Sequence, residues 1–173
     1  IIAERVSEDE ESRNTVRRTF ARDAIITSSV VKAKAAEAEK YRDYFDHSEP
    51  LRRCSSHRLL AMRRGEAEGY LRVNIRPADE DACVERLCRH YVRRGTPTAS
   101  QVEMAVTDAY KRLLRPSIET EFAAAGKVAA DEEAIRVFAG NLRQLLLAPP
   151  LGQKRIMGID PGYRTGCKVV CLD

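Results

Sequence analysis

One carboxylate near the C-terminus lies where it could take part in metal chemistry. In the segment 158–162, Gly-Ile-Asp-Pro-Gly, an apolar stretch carries Asp160 to a turn that contains glycine. A carboxylate of this kind can bind Mg²⁺ through its oxygens, but two-metal cleavage of a phosphodiester needs more than one acid. Asp173 is the only other acidic residue after Glu133 in the sequence. The pattern therefore leaves two alternatives for Asp160, a metal-binding acid or a side chain that caps the turn.

The second chemical feature is a run of arginines in the middle of the chain. Residues 51–95 hold eleven arginines and six acidic residues, a balance of +5 in a chain whose net charge is +4. The planar guanidinium group donates two parallel hydrogen bonds to phosphate, so this region is a candidate for nucleic-acid binding. The residues predicted to make these contacts are Arg52, Arg53, Arg58, Arg63 and Arg64. The alternative is that these side chains are merely solvated, because arginine is frequent throughout the chain.

Two aromatic residues precede this run. Tyr41 and Phe45 alternate with charged residues and could stack on nucleic-acid bases. Their spacing of four residues equally fits a helix face buried in a core. The sequence leaves both interpretations open.

The cysteines and histidines predict no metal centre and no nucleophilic catalytic site. The five cysteines form no Cys-x-x-Cys pair, and the three histidines are scattered; they are Cys54, Cys83, Cys88, Cys167, Cys171, His47, His57 and His90. Zinc sites usually draw on such close pairs. We therefore expect reduced thiols, no bound metal and no cofactor.

The elements that position these residues are mainly helical. Apolar periodicity predicts helices over 1–22, 27–46, 55–65 and 79–91, then a long helix after Thr98 and a last one from Asp131 to Pro149. Ser55 is expected to cap the third helix and Gly65 to end it. Thr98 and Gln101 form a predicted capping box, and Pro116 should kink or break the helix that follows.

Strands are predicted in two places. Residues 69–76 alternate with period two before Pro77, and the segments 155–160 and 167–172 read as two strands joined by a turn over 161–166. The predicted fold is therefore mainly α, a multi-helical bundle with a short strand near 70–76 and a C-terminal β-hairpin. We place the domain boundary near residue 152, which gives domains 1–152 and 153–173.

Several unusual stretches resemble the Tex family of bacterial transcription accessory proteins. They are Lys40–Asp46, Glu49–Leu51, Ser56–Glu66, Ala109–Glu121, Asp131–Gly152 and Gly158–Lys168. The resemblance implies that residues 1–152 are the helical central region of such a protein. It also implies that residues 153–173 are the first two strands of a YqgF-like domain, whose RNase H-like fold is shared with the Holliday-junction nuclease RuvC.

The resemblance carries expectations about function. Members of the Tex family are considered to bind nucleic acid, RNA in particular, and to act in transcription, so we expect a cytoplasmic protein that binds RNA or single-stranded nucleic acid. RNA polymerase is a further candidate partner. Asp160 matches the first-strand acid of the RuvC-like site, but the YqgF-like domain of this family is regarded as lacking a complete nuclease site. We therefore expect no enzyme activity, with Asp160 as a vestigial catalytic acid.

Three functions follow, in order of preference. The first is a nucleic-acid-binding scaffold, the second a purely structural domain that contacts RNA polymerase, and the third a metal-dependent nuclease that uses Asp160. No apolar run of about 18 residues is present, as a membrane-spanning helix would need, and no secretion signal is recognisable. Because the chain begins at Ile1 and ends after a second strand, we expect a piece of a longer protein. The open edge of its truncated hairpin could pair with another copy.

Overall fold

The computed structural model describes residues 1–150, 152–162 and 166–173 and divides into two units, Ile1–Arg136 and Val137–Asp173. The first unit holds helices and a three-stranded sheet, and the second holds the end of a long helix and a β-hairpin. The mainly α class and the C-terminal hairpin are confirmed. The domain boundary near residue 152 stays a prediction. No helix in the described part of the chain is both long and apolar enough to cross a membrane.

Two helices occupy the N-terminal segment where one was predicted. Helix α1 spans Ile2–Glu8 and α2 spans Glu10–Asp23. Asp9 between them has an extended backbone (φ −66°, ψ 126°), and its carboxylate accepts a hydrogen bond from the Ser12 amide at 2.8 Å. An aspartate at this position satisfies an amide of the first helical turn. The acidic residues at 8–11 therefore lie at the junction of two helices, and Asp9 caps the second.

A three-stranded antiparallel sheet takes up much of the segment for which a helix over 27–46 was predicted. The strands are β1 (Ala24–Val30), β2 (Asp46–Pro50) and β3 (Leu71–Pro77), in the order β2-β1-β3. Strand β3 was predicted and is confirmed. The helix over 27–46 was wrong because the β-branched residues of β1 favour a strand and pair with β3. The alanine-rich segment that follows forms only short 3₁₀ helices, Lys32–Lys34 and Glu39–Tyr44.

Helices α3 (Ser56–Ala67) and α4 (Glu80–Tyr91) begin where the sequence predicts. The Asp79 carboxylate caps α4 by accepting from the Ala82 amide at 2.8 Å, whereas Ser55 precedes α3 without a side-chain capping bond. Gly65 was expected to end α3 but lies inside it and is buried. A Cβ at Gly65 would lie 2.6 Å from Leu71 Cδ1. Gly65 therefore permits the close approach of α3 to β3.

One helical run extends from α5 (Ala99–Asp108) through a π-helical segment (Ala109–Leu114) into α6 (Arg115–Leu146). Pro116 does not end it, because the Arg115 amide donates to the Tyr110 carbonyl five residues back and this wider turn accommodates the proline ring. The capping box was also wrong, since Thr98 has a helical backbone and makes no side-chain capping bond. The helix predicted to begin at Asp131 is part of α6.

The core of the first unit lies between the helices and one face of the sheet. Its largest fully buried side chains include Tyr110, Phe20, Ile26, Met62, Ile75 and Leu87. Helix α2 contributes Phe20, whose ring centroid lies 5.4 Å from that of Phe122, and α4 contributes Cys83 and Leu87. Because both helices are fixed to this core, the spacing of their exposed faces is fixed as well.

The second unit exposes many apolar side chains. On the last turns of α6 these are Val137, Phe138, Leu142, Leu145 and Leu146. Strands β4 (Ile156–Gly162) and β5 (Gly166–Leu172) pair antiparallel, and residues 163–165, the centre of the predicted turn, lie outside the described residues. Apolar residues alternate onto both faces, with Met157 and Ile159 on one and Val170 and Leu172 on the other. Strands of this kind are typical of sheets that are covered on both sides.

Candidate nucleic-acid interface

Two of the five arginines predicted to bind nucleic acid are held by carboxylates. Arg58 donates from Nε and Nη2 to Glu49 Oε1 and Oε2, at 2.9 and 2.8 Å. These hydrogen bonds lower the pKa of Glu49 to about 2. Arg63 Nη1 donates to Glu66 Oε2 at 2.5 Å. Arg58 therefore links α3 to the end of β2, and Arg63 pairs with a residue of its own helix. Much of the charge of both arginines is neutralised by these carboxylates.

The other three predicted arginines are exposed. Arg52 and Arg53 lie in a 3₁₀ turn (Leu51–Arg53) directly after β2, and Arg64 lies in the last turn of α3. Within residues 1–150, 152–162 and 166–173, none of the three forms an ion pair. The structure thus separates the predicted residues into two that support the fold and three whose charge is accessible to a ligand.

The aromatic residues that precede these arginines divide in a similar way. Tyr41 is buried, at 5% exposure, and its ring centroid lies 6.1 Å from that of Tyr70. Burial raises the pKa of the Tyr41 hydroxyl, and Lys40 Nζ lies 5.0 Å from the ring centroid. Tyr41 is therefore a core residue and cannot stack on a base, whereas Phe45 is partly exposed.

A cleft between α2 and α4 brings two arginines of the basic region 51–95 next to two arginines of α2, and none of these four was among the residues predicted individually to bind nucleic acid. This α2/α4 cleft has a volume of about 500 Å³ and is lined by residues that include Arg18, Arg22, Arg86, Arg89, His90 and Glu11. Arginines four apart on α2 and three apart on α4 share a face of their helix. The spacing can be read from the sequence, but it indicates a shared basic site only when the two helices are known to be neighbours.

Arg52 lies near one end of this cleft. Pro50 pairs with Ile25 in the β1–β2 register, so the turn that carries Arg52 continues past the start of β1, where Asp23 ends α2. Arg22 donates to Asp23 at 2.7 Å and thereby lowers the pKa of Asp23, and the positive charges of Arg86 and Arg52 lower it further. The α2/α4 cleft and Arg52 therefore contribute to one basic surface.

Asp160 has different surroundings. It is exposed on β4 and lies opposite Lys168 of β5. Among the residues that the structure describes, no three His, Cys, Asp or Glu side chains are grouped so that they could hold a metal ion. The five cysteines are free thiols. Asp160 is thus a single carboxylate that faces a cation across the hairpin.

Comparison with known proteins identifies the family. A family model described as Tex central region-like matches residues 1–138. The chain belongs to this family. The matched Tex central region includes the whole first unit and with it the α2/α4 cleft and the exposed arginines.

Individual relatives agree with the Tex assignment over the full chain. The chain is 36% identical over 178 residues to the transcriptional accessory protein Tex of Neisseria gonorrhoeae and 38% identical over 182 residues to protein YhgF of Escherichia coli. Both alignments cover 100% of this chain and 24% of the relative. A human protein named S1 RNA-binding domain-containing protein 1 is 30% identical over 186 residues, which is 99% of this chain and 18% of that protein. The chain thus spans about a quarter of the length of these bacterial relatives.

Proposed function

We propose that this chain is an RNA-binding scaffold within a Tex-type transcription accessory protein. The observation that carries the proposal is the exposure of Arg52, Arg53 and Arg64 without ion pairs to any described residue, in a region where Arg58 and Arg63 are neutralised. Exposed guanidinium groups bind phosphate oxygens irrespective of base sequence. The scaffold part of the proposal is supported by packing: Leu59 and Met62 of α3 lie in the buried core, and Leu51 of the turn that carries Arg52 and Arg53 packs against it.

The names of the relatives support nucleic acid as the partner. One relative is named for transcription and another for an S1 RNA-binding domain. The chain matches only part of each, so RNA binding by this part is a proposal of its own. We favour single-stranded RNA, with contacts to the phosphate backbone that do not read sequence, in a cytoplasmic setting.

The second unit supports a proposal about the parent protein. Both faces of the β4–β5 hairpin carry apolar side chains, as expected for the first strands of an RNase H-like, YqgF-type domain whose remaining elements would cover them. We infer that Asp160 is a vestigial acid and that the chain is not an enzyme, because a two-metal site needs further carboxylates. Magnesium-dependent cleavage by the full-length parent that is lost in Asp160→Asn would overturn this inference.

A purely structural role is the second candidate. The exposed apolar side chains at 137–146 of α6 favour a contact with a further protein surface, either in the parent or in RNA polymerase. In that case the exposed arginines would contribute nothing to RNA affinity. The two candidate functions therefore differ in whether the exposed arginines contribute to RNA affinity, which can be measured.

The deciding experiment is binding of the 173-residue chain to labelled single-stranded oligouridylate across a salt series. For single strands, the slope of log K against log salt is about −0.7 for each phosphate neutralised. We expect the triple variant Arg52→Gln, Arg53→Gln, Arg64→Gln to bind more weakly and to lose about 1 to 2 units of slope. The control Arg5→Gln, Arg136→Gln, Arg143→Gln removes the same charge from exposed sites on α1 and α6. Equal affinity of both variants and the unaltered chain would favour the structural role.

A further inference from the structure

We propose that the α2/α4 cleft is a phosphate-binding site and that the phosphate it takes belongs to the RNA backbone. This inference rests on the proposed function and gives it a specific location. Four guanidinium groups line the cleft, those of Arg18, Arg22, Arg86 and Arg89. None of these is among the residues that the sequence pattern selected.

The charge in the cleft is not cancelled by its own lining. Arg22 pairs with Asp23, and Arg89 lies 3.4 Å from Glu85 in a largely exposed pair that water screens. Arg18 and Arg86 form no ion pair with a carboxylate anywhere in the described residues. Glu11 is the one acid that lines the described cleft, and its carboxylate lies 3.8 Å from His90. A multiply charged anion would therefore find a surplus of cationic donors.

The walls of the cleft are held in place before any ligand binds. At one end, Tyr91 of α4 shares a hydrogen bond of 2.6 Å with Ser12 and donates to Asp9 at 2.9 Å, both at the start of α2. Further along, Arg86 Nη1 donates to the Thr19 hydroxyl at 3.1 Å. Thr19 is a buried residue of α2, so this bond ties the Arg86 guanidinium of α4 to the facing helix. Prepositioned donors bind an anion with less loss of side-chain entropy.

The shape and chemistry favour a phosphate over an apolar ligand. The cleft is open to solvent, and its polar lining consists mainly of cationic nitrogen donors. Guanidinium groups bind phosphate oxygens in pairs. Arg22 lies one residue before the end of α2, and Pro50, two residues before Arg52, pairs with Ile25 at the start of β1, so a strand that leaves the cleft past Arg22 would approach the exposed turn that carries Arg52. A nucleic-acid backbone, which has a phosphate at every nucleotide, could contact both the arginines of the cleft and Arg52, whereas an isolated phosphate ion could contact only one of these places.

The test compares two phosphate sources on the full 173-residue chain. Calorimetry with pyrophosphate measures binding of free phosphate, and fluorescence anisotropy with labelled oligouridylate measures binding of RNA. The variant Arg18→Gln, Arg89→Gln changes one exposed residue on each wall, and Arg5→Gln, Arg136→Gln is the charge-matched control. Arg86→Gln is a second variant, accompanied by a thermal unfolding curve because it also removes the bond to Thr19.

We expect the cleft variant to bind RNA about tenfold more weakly and to lose about 1 unit of salt slope, with the control unchanged. Loss of pyrophosphate binding alone, with RNA affinity intact, would overturn the RNA assignment. If the cleft variant binds RNA as tightly as the control does, and also binds pyrophosphate as tightly, the cleft is not the site. The proposed function would still stand if the Arg52, Arg53, Arg64 variant weakens RNA binding. No RNA binding by the unaltered chain would instead refute the proposed function and the RNA source together.

Discussion

The Glu49 carboxylate accepts hydrogen bonds from two nitrogens of the Arg58 guanidinium, nine residues further along the chain. Only 14% of the Glu49 side chain is exposed. The pair joins the end of β2 to the first turns of α3. Between its two partners the chain turns outward and exposes Arg52 and Arg53. Arginines that form one cluster in the sequence therefore have two different roles.

Replacing Arg58 with Gln should lower the free energy of unfolding at neutral pH by more than an ordinary surface substitution does, because the Glu49 carboxylate, whose side chain is only 14% exposed, loses its counter-charge. Urea denaturation measures this directly. Arg64→Gln is the matched control on the same helix, since Arg64 is exposed and has no ion pair with a described residue. The control should change stability by less than about 0.5 kcal/mol. Similar losses for both variants would contradict a structural role that is particular to Arg58.

The same pair predicts a pH dependence with a definite sign. The pKa of Glu49 is about 2 in the folded chain, below its ordinary value of 4.5. A lowered folded-state pKa stabilises the fold above the ordinary pKa, and this stabilisation is lost as the pH falls toward the folded-state value. The stability difference between the unaltered chain and Arg58→Gln should therefore be constant above about pH 5 and shrink toward pH 2. A difference that stays constant over that range would exclude the Glu49 carboxylate as its source.

The buried Tyr110 and the partly buried Tyr91 should respond differently to loss of the hydroxyl. The Tyr110 hydroxyl is buried and has no hydrogen-bond partner among the described residues, so Tyr110→Phe should be neutral or slightly stabilising. The Tyr91 hydroxyl bonds to both Ser12 and Asp9, so Tyr91→Phe should cost about 1–2 kcal/mol. Thermal unfolding of the two variants side by side measures the contrast, and a larger loss for Tyr110→Phe would reverse the assignment.

The sequence predicts those features that local patterns determine. The alternation of β3, the helix predicted over 79–91 and the C-terminal hairpin all rest on local patterns, and all are confirmed. Strand β1 was missed although its β-branched residues favour a strand, because what stabilises that strand is its pairing with β3, more than forty residues away. The effect of Pro116 was predicted wrongly because the sequence around a proline does not show that a π-helical turn precedes it and makes room for its ring.

The candidate site was less predictable than the fold for the same reason. Composition located a basic region, but ion pairing decides which of its charges are accessible, and pairing depends on tertiary contacts such as that of Arg58 with Glu49. The α2/α4 cleft joins Arg18 to Arg89 across more than seventy residues of chain. No pattern within either helix reveals that neighbour.

Gly65 should be intolerant of even the smallest side chain. A Cβ there would lie 2.6 Å from Leu71 Cδ1 and 3.3 Å from Tyr41 Cδ1, and both neighbours are buried. Gly65→Ala should therefore destabilise by about 1–3 kcal/mol through overpacking, despite the better helix propensity of alanine. Gly126→Ala on α6 is the control, because its Cβ would meet Leu59 Cδ2 at an ordinary 3.4 Å. That variant should be neutral or more stable by up to about 1 kcal/mol, and chemical denaturation of both variants tests the difference.

The five thiols should fall into two classes of reactivity. Burial raises the pKa of Cys54 to about 12 and also raises the pKa of Cys83 and Cys88. Cys167 and Cys171 are exposed on β5. Because the thiolate is the reactive form, a colorimetric thiol reagent at neutral pH should label the two hairpin cysteines quickly and the other three much more slowly, with the fully buried Cys83 labelled only after unfolding. Mass mapping of the labelled residues checks this, and rapid labelling of Cys83 would show that the core opens more readily than its burial implies.

The hairpin should make the isolated chain self-associate. Its two strands leave open edges and expose Ile159 on one face and Val170 on the other, a combination that promotes pairing between copies. The variant Ile159→Lys, Val170→Lys places one charge on each face and should shift the chain to the monomer. Met104→Lys, Val128→Lys is the matched control, since both residues are exposed on helices of the first unit. Sedimentation velocity over a concentration series distinguishes these outcomes. A control that dissociates as fully as the hairpin variant would show that the contact lies elsewhere. An unaltered chain that is monomeric at every concentration would refute hairpin pairing.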